Sequence, residues 1–277
     1  MFIREKTLLR YEGFKDISDG RLYDAEDKAL LGTNGCKDCS HCCESDMGHS
    51  IVLTPYDMYQ LTRGTGKSFD ELLVSFHLEL SMIDDVVLPH LKMDSGCKFL
   101  EEGRCTIHQY RPGICRLFPL GRIYEGDTFK YFLQINECLK TSRTPVRISD
   151  WLGIEDLEEN SANISKWHKF LKYETKRIHE IREMAGYEVN RLEGLEEKDL
   201  MDHATATGDI EEFEEKGAET YRKDKMEELM EEAEYRVKEI MKTVLRIFYM
   251  DKYDTEADFY QQFNARMKQC LADIRHI

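Results

Sequence analysis

Apolar residues recur at Met226, Met230, Ala233, Val237, Ile240, Val244 and Ile247, in alternating steps of four and three. That spacing keeps one stripe on one side of an α-helix, so it predicts a helix of about 25 residues. The charged run around it, KMEELMEEAEYR, reads as the solvated face. The simplest role for such a helix is to lie on its own domain rather than to pair with a partner. Trp151, Trp167, Phe170 and Leu171 read as core anchors, and glycines at EMAGYE and ATGD as breaks between helices.

Before residue 150 the patterns are shorter. VLTPYDMYQL (52–61) reads as a helix start, with Thr54 as N-cap and Pro55 in the first turn, where a missing N–H costs nothing. Ser68 and Glu71 form a capping box ahead of LLVSFHLEL, which reads as a second helix. RPGICRLFP (111–119) reads as one short helix begun at Pro112 and stopped by Pro119. GRIYEGDTFKYFLQ (121–134) reads as a β-hairpin turning at Glu-Gly-Asp. The expected architecture is therefore mainly α. An irregular cysteine-rich module with short helices and a small hairpin (1–150) is followed by an acidic helical region (151–277).

With 277 residues and 41% hydrophobic side chains the chain can bury a substantial core. A mean hydropathy of −0.57, and no apolar run of about eighteen residues, point away from a membrane span. MFIREKTLLRYEGF lacks the apolar stretch of a secretion signal, so the expected location is cytoplasmic. The net charge is −15, and residues 191–240 alone hold 18 acidic against 8 basic side chains. A polyanion would be repelled, so nucleic acid is not an expected partner. A protein partner or protein substrate fits better.

The charge balance reverses over residues 97–147, with nine Lys or Arg against five acids. Cysteines lie within this stretch and, as a separate group, well ahead of it. GCKDCSHCCES (35–45) carries Cys36, Cys39, Cys42 and Cys43, and Cys97, Cys105, Cys115 and Cys138 follow. Cytosolic thiols are kept reduced, and a chain of this length needs no staples, so metal explains the density better than disulfides. A C-x2-C-x2-C run can set three thiolates around an iron–sulfur cubane, with a fourth from elsewhere. Zinc knuckles usually come as two separated pairs. The pattern therefore leans towards a cluster of the 4Fe–4S type over zinc. Eight thiols also suffice for two closed sites, and Cys43, adjacent to Cys42, is awkward for the same centre.

Cys115 falls at the start of its short helix, where the dipole favours a thiolate. His41 and His108 are possible further ligands, and Arg111 and Arg116 possible hydrogen-bond donors to sulfur. Cys270, alone in a helical pattern, reads as a small buried hydrophobe. RGTGKS (63–68) is too short for a phosphate-binding loop and reads as a turn.

The order C-x2-C-x2-C-C at 36–43, the LTPYDMYQL helix, and CKFLEEGRCTIHQYRPGICRLFP at 97–119 resembles the YkgJ-type cysteine-cluster (CxxCxxCC) family. That family is described as a zinc- or iron-chelating domain, and flagellin lysine-N-methylases belong to the same broader group. The resemblance spans roughly residues 30–140. It implies Cys36, Cys39, Cys42, Cys43, Cys97, Cys105, Cys115 and Cys138 as metal ligands. At Cys138 the family's Pro-Gly is replaced by Leu139-Lys140. Three functions follow as expectations. One is an iron–sulfur protein performing redox chemistry or methyl transfer from S-adenosylmethionine to protein lysine. Another is a structural zinc module that mediates protein–protein contact. The third is a carrier of metal without catalysis.

Overall fold

The computed structural model describes residues 14–34, 39–44, 51–93 and 96–277. It is mainly α, with 56% of these residues helical and short two-stranded sheets between them. Two compact units form, one from the described part of Met1–Leu171 with Val244–Cys270, the other from Lys172–Thr243 with Leu271–Ile277.

In the first unit, helix α1 (Phe14–Ile17) precedes strand β1 (Lys28–Gly32). Ala29 and Leu31 point inward while Leu30 faces solvent, the alternation of a half-buried strand. Helix α2 (His41–Glu44) follows, so β1 leads directly into the cysteine loop. Helix α3 (Pro55–Thr65) begins with Thr54 and Asp57 exchanging side chain-to-backbone bonds. It buries Met58 and Leu61 and ends at Gly66 in the left-handed conformation.

Ser68 and Glu71 cap α4 (Phe69–Val74) as their spacing suggests. The helix expected to continue through LLVSFHLEL stops at Val74, however. The alternating pattern from Leu78 onward pairs as β2 (Leu78–Ile83) with β3 (Val86–Leu91), turning at Asp84 and Asp85 with positive φ. Backbone pairing across a two-residue turn overrides the helical preference of the leucines.

Strands β4 (Leu100–Glu101) and β5 (Arg104–Cys105) form a minimal hairpin. Its turn residues, Glu102 and Gly103, have φ of 48° and 73°, the geometry that a two-residue hairpin loop favours. Helix α5 (Gly113–Leu117) follows, then the expected hairpin of β6 (Leu120–Glu125) and β7 (Thr128–Leu133). Strand β8 (Thr144–Arg147) returns antiparallel to β1, and α6 (Ile148–Leu152) closes the layer. Ala29, Leu31, Leu117, Leu120, Tyr131, Ile148 and Leu152 pack as one core, which fixes the base of α5.

Helix α7 (Leu157–Glu193) is continuous through Gly186, so the break expected at EMAGYE is absent. One glycine costs about 1 kcal/mol in a helix, too little to interrupt a helix of 37 residues. Helices α8 (Glu197–Thr207), α9 (Ile210–Lys216) and α10 (Ala218–Leu245) follow, with Gly208 forming the expected ATGD break. Ala233, Val237, Ile240, Val244 and Ile247 of the apolar stripe are buried, while Met230 is largely exposed. A π-turn (Arg246–Met250) and α11 (Phe259–Ile274) complete the chain, and Cys270 is fully buried.

In the second unit, Leu192, Leu200, Ala204, Phe213 and Tyr221 form a separate core. The Phe213 and Tyr221 rings meet edge-on at 5.4 Å. Among the described residues no helix is long and apolar enough to cross a membrane.

Candidate metal site

Three chain segments supply cysteines to one place. The segment after β1 supplies Cys39 and, in α2, Cys42 and Cys43; the β4–β5 hairpin carries Cys105 and is preceded by Cys97; α5 carries Cys115. All six line one cavity of about 490 Å³. Cys36 lies outside the described residues.

Backbone bonds hold these segments together. The N–H of Cys97 donates to the carbonyl of Cys43 at 2.7 Å, which joins the two halves of the site directly. Gly96, just before Cys97, has a φ of +98°, a backbone conformation that favours glycine. In the hairpin, Cys105 pairs with Leu100. The side chain of Asp57 accepts the N–H of Gly113 at 2.7 Å, which ties the start of α5 to the start of α3. Gly64 of α3 lies against Tyr110, where a Cβ would come within 2.7 Å of the ring. The RGTGKS glycine therefore serves packing beneath the site.

The thiols affect one another. The Cys42 thiol is lowered to about 7, chiefly because Cys43 hydrogen-bonds to it, with the Arg111 charge adding to the effect. Cys43 is pushed up by the same bond, by burial, and by the charges of Cys42, Cys97 and Cys105. Burial raises Cys97 and Cys105; the charges of Cys105 and Cys42 add to the shift at Cys97, and that of Cys42 to the shift at Cys105. Cys115 sits deepest in the protein mass while still opening on the cavity. Burial raises its thiol, and Cys97, Asp57, Cys105 and Cys42 add to the shift. The four raised thiols, Cys43, Cys97, Cys105 and Cys115, thus resist ionisation until a cation is present, and bound metal reverses that balance. The helix start expected to acidify Cys115 is outweighed by burial.

The two arginines separate in role. Arg116 donates Nε to the Arg111 carbonyl and Nη1 to those of Leu152 and Gly153, and Nη2 bonds the Gln109 carbonyl. It clasps backbone. Arg111 lines the cavity and holds the His108 ring, whose pKa is lowered by burial and by the charges of Arg111 and Arg104. Trp151 closes one wall and donates its indole N–H to the Phe118 carbonyl at 3.2 Å.

Cys138 does not line this cavity. It opens on a smaller one of about 40 Å³ together with Cys39, His41, Cys42 and Glu137. Cys39 and Cys42 line both. The described cysteines are all free thiols. Among the described residues, no group of three or more Cys, His, Asp or Glu side chains is arranged to hold a metal ion as it stands. The donor chemistry nevertheless fits soft, thiolate-loving zinc or an iron–sulfur centre.

Sequence reasoning did not single out Asp57, Gly96 or Trp151 for the site. Thr54-x-x-Asp57 was the available signal for Asp57; Gly96, one residue before Cys97, was the signal for the positive φ there.

Residues 35–143 match the model of the CxxCxxCC family, described as a "putative zinc- or iron-chelating domain". The match includes all eight cysteines named above. No curated protein and no solved structure matches the chain.

Proposed function

We propose that the cavity holds an iron–sulfur centre bound by cysteines from all three segments, and that redox or group-transfer chemistry is carried out there. The observation that carries this reading is the convergence of Cys39, Cys42, Cys43, Cys97, Cys105 and Cys115 on one space of about 490 Å³. A closed tetrahedral zinc site is filled by its four ligands and leaves little room, whereas a cluster needs volume. Arg111 favours an anionic centre, since its charge lowers the thiols of both Cys42 and Cys105. Cys36 joins as a ligand through its C-x2-C-x2-C spacing. When bound, such a centre supplies one-electron chemistry. Arg111 and Trp151 would set its charge environment and its shielding from water.

Anaerobic purification tests the reading. A brown protein with broad absorption near about 400 nm and matching iron and acid-labile sulfide is the expected result. A colourless protein with stoichiometric zinc would replace it with the structural zinc module.

A further inference from the structure

A second cavity, of about 40 Å³, lies in the same unit but away from the sulfurs. Asp57, Arg122, Asn160, His168, Tyr56 and Tyr124 form its polar lining. Arg122 is only 7% exposed, and its Nε and Nη2 are buried without a hydrogen-bond partner. Its guanidinium lies over the Phe129 ring at 4.9 Å and near Tyr131 at 5.9 Å, so aromatic faces fix its plane. Asp57 feels the Arg122 charge, while its oxygens accept hydrogen bonds from Thr54 and Gly113.

A buried cation with two unfilled donors is costly unless something polar completes it. Nε–H and Nη2–H lie on one edge of the guanidinium and point the same way. That edge matches the two oxygens of a single carboxylate, whereas one water meets only one donor at good geometry. The cavity exceeds the space of one water and admits a molecule of only a few heavy atoms. The lining also holds the His168 imidazole, stacked on Tyr124 with ring centres 3.7 Å apart.

We propose that this cavity binds a one- or two-carbon carboxylic acid, gripped side-on by Arg122. The proposal does not depend on the metal reading.

The test uses the full chain at pH 6 with sodium formate or acetate against sodium chloride at equal ionic strength. Thermal denaturation and the 13C resonance of labelled formate are followed. The expected result is a saturable rise in Tm and a broadened or shifted formate line. Arg122→Lys, which keeps the charge and loses the fork, should weaken the affinity at least tenfold. A response equal to that in chloride, or one unchanged in Arg122→Lys, overturns the proposal. If that variant does not fold, a crystal structure of the wild-type chain grown with formate decides. A planar two-oxygen ligand on Nε and Nη2 supports the proposal, and water alone there refutes it.

Discussion

The carboxylate of Asp57 accepts the backbone N–H of Gly113 at 2.7 Å, across 56 positions of sequence. The same side chain accepts from the N–H and hydroxyl of Thr54, each at 2.8 Å. One buried residue therefore caps α3 and orients the helix that carries Cys115. Replacing it with alanine removes a cap and orphans the Gly113 N–H. Asp57→Ala is expected to lose about 2–4 kcal/mol in urea denaturation, and Asp57→Asn, which keeps an acceptor oxygen, less. A change under about 0.5 kcal/mol for the alanine variant would mean that the link carries no weight.

Cysteine replacements should divide by location. Cys39→Ala and Cys105→Ala are expected to lower bound metal several-fold and expose the loop after β1 to protease, because metal would organise that loop. Cys270→Ala should leave metal content unchanged, since Cys270 is fully buried in α11, away from the cavity. Elemental analysis of the purified variants reads this out. Equal metal in Cys105→Ala and wild type would remove Cys105 from the ligand set.

In metal-free protein the thiols should react in order. Cys42, at about 7, is expected to be alkylated first by iodoacetamide, with half-maximal rate near pH 7. Cys115, raised by burial, should react last. Peptide mapping of a timed alkylation measures the order, and early labelling of Cys115 would contradict the geometry.

The fold and the site were legible in the sequence to different degrees. Capping signals are local chemistry, so the Thr54 and Ser68 helix starts could be read directly. The β6–β7 hairpin was readable for the same reason, because its turn lies between its own strands. The β1–β8 pairing was not, because Lys28 and Arg147 meet only through tertiary packing. The end of α4 at Val74 was hidden because LLVSFHLEL is apolar enough for either period, and the decision rests on pairing with the strand that follows it, Val86–Leu91. For the site, cysteine spacing named the residues that now line the cavity. It could not show that Cys138 opens on a different one, nor that Arg116 is taken up by backbone carbonyls while Arg111 lines the cavity.

In the second unit, Glu174 is completely buried, its nearest charge being Arg177 at 3.7 Å. Burial lifts its carboxyl from 4.5 to about 7, against the smaller opposing pull of Arg177. The folded chain therefore holds this proton more tightly than the unfolded chain. The associated stability is fully present below about pH 4.5 and is lost as pH rises towards 7. The loss is of order 3 kcal/mol. Glu174→Gln should abolish this slope and raise Tm at pH 8 more than at pH 5. Parallel Tm–pH curves for wild type and variant would rule out Glu174 as the source.

The most direct test of the central claim is X-ray absorption at the metal edge of anaerobically purified protein. A sulfur shell near about 2.3 Å around stoichiometric iron, with an iron–iron distance beyond it, is the result predicted here. Absence of stoichiometric metal, or a first shell of oxygen and nitrogen only, would contradict a cysteine-bound centre.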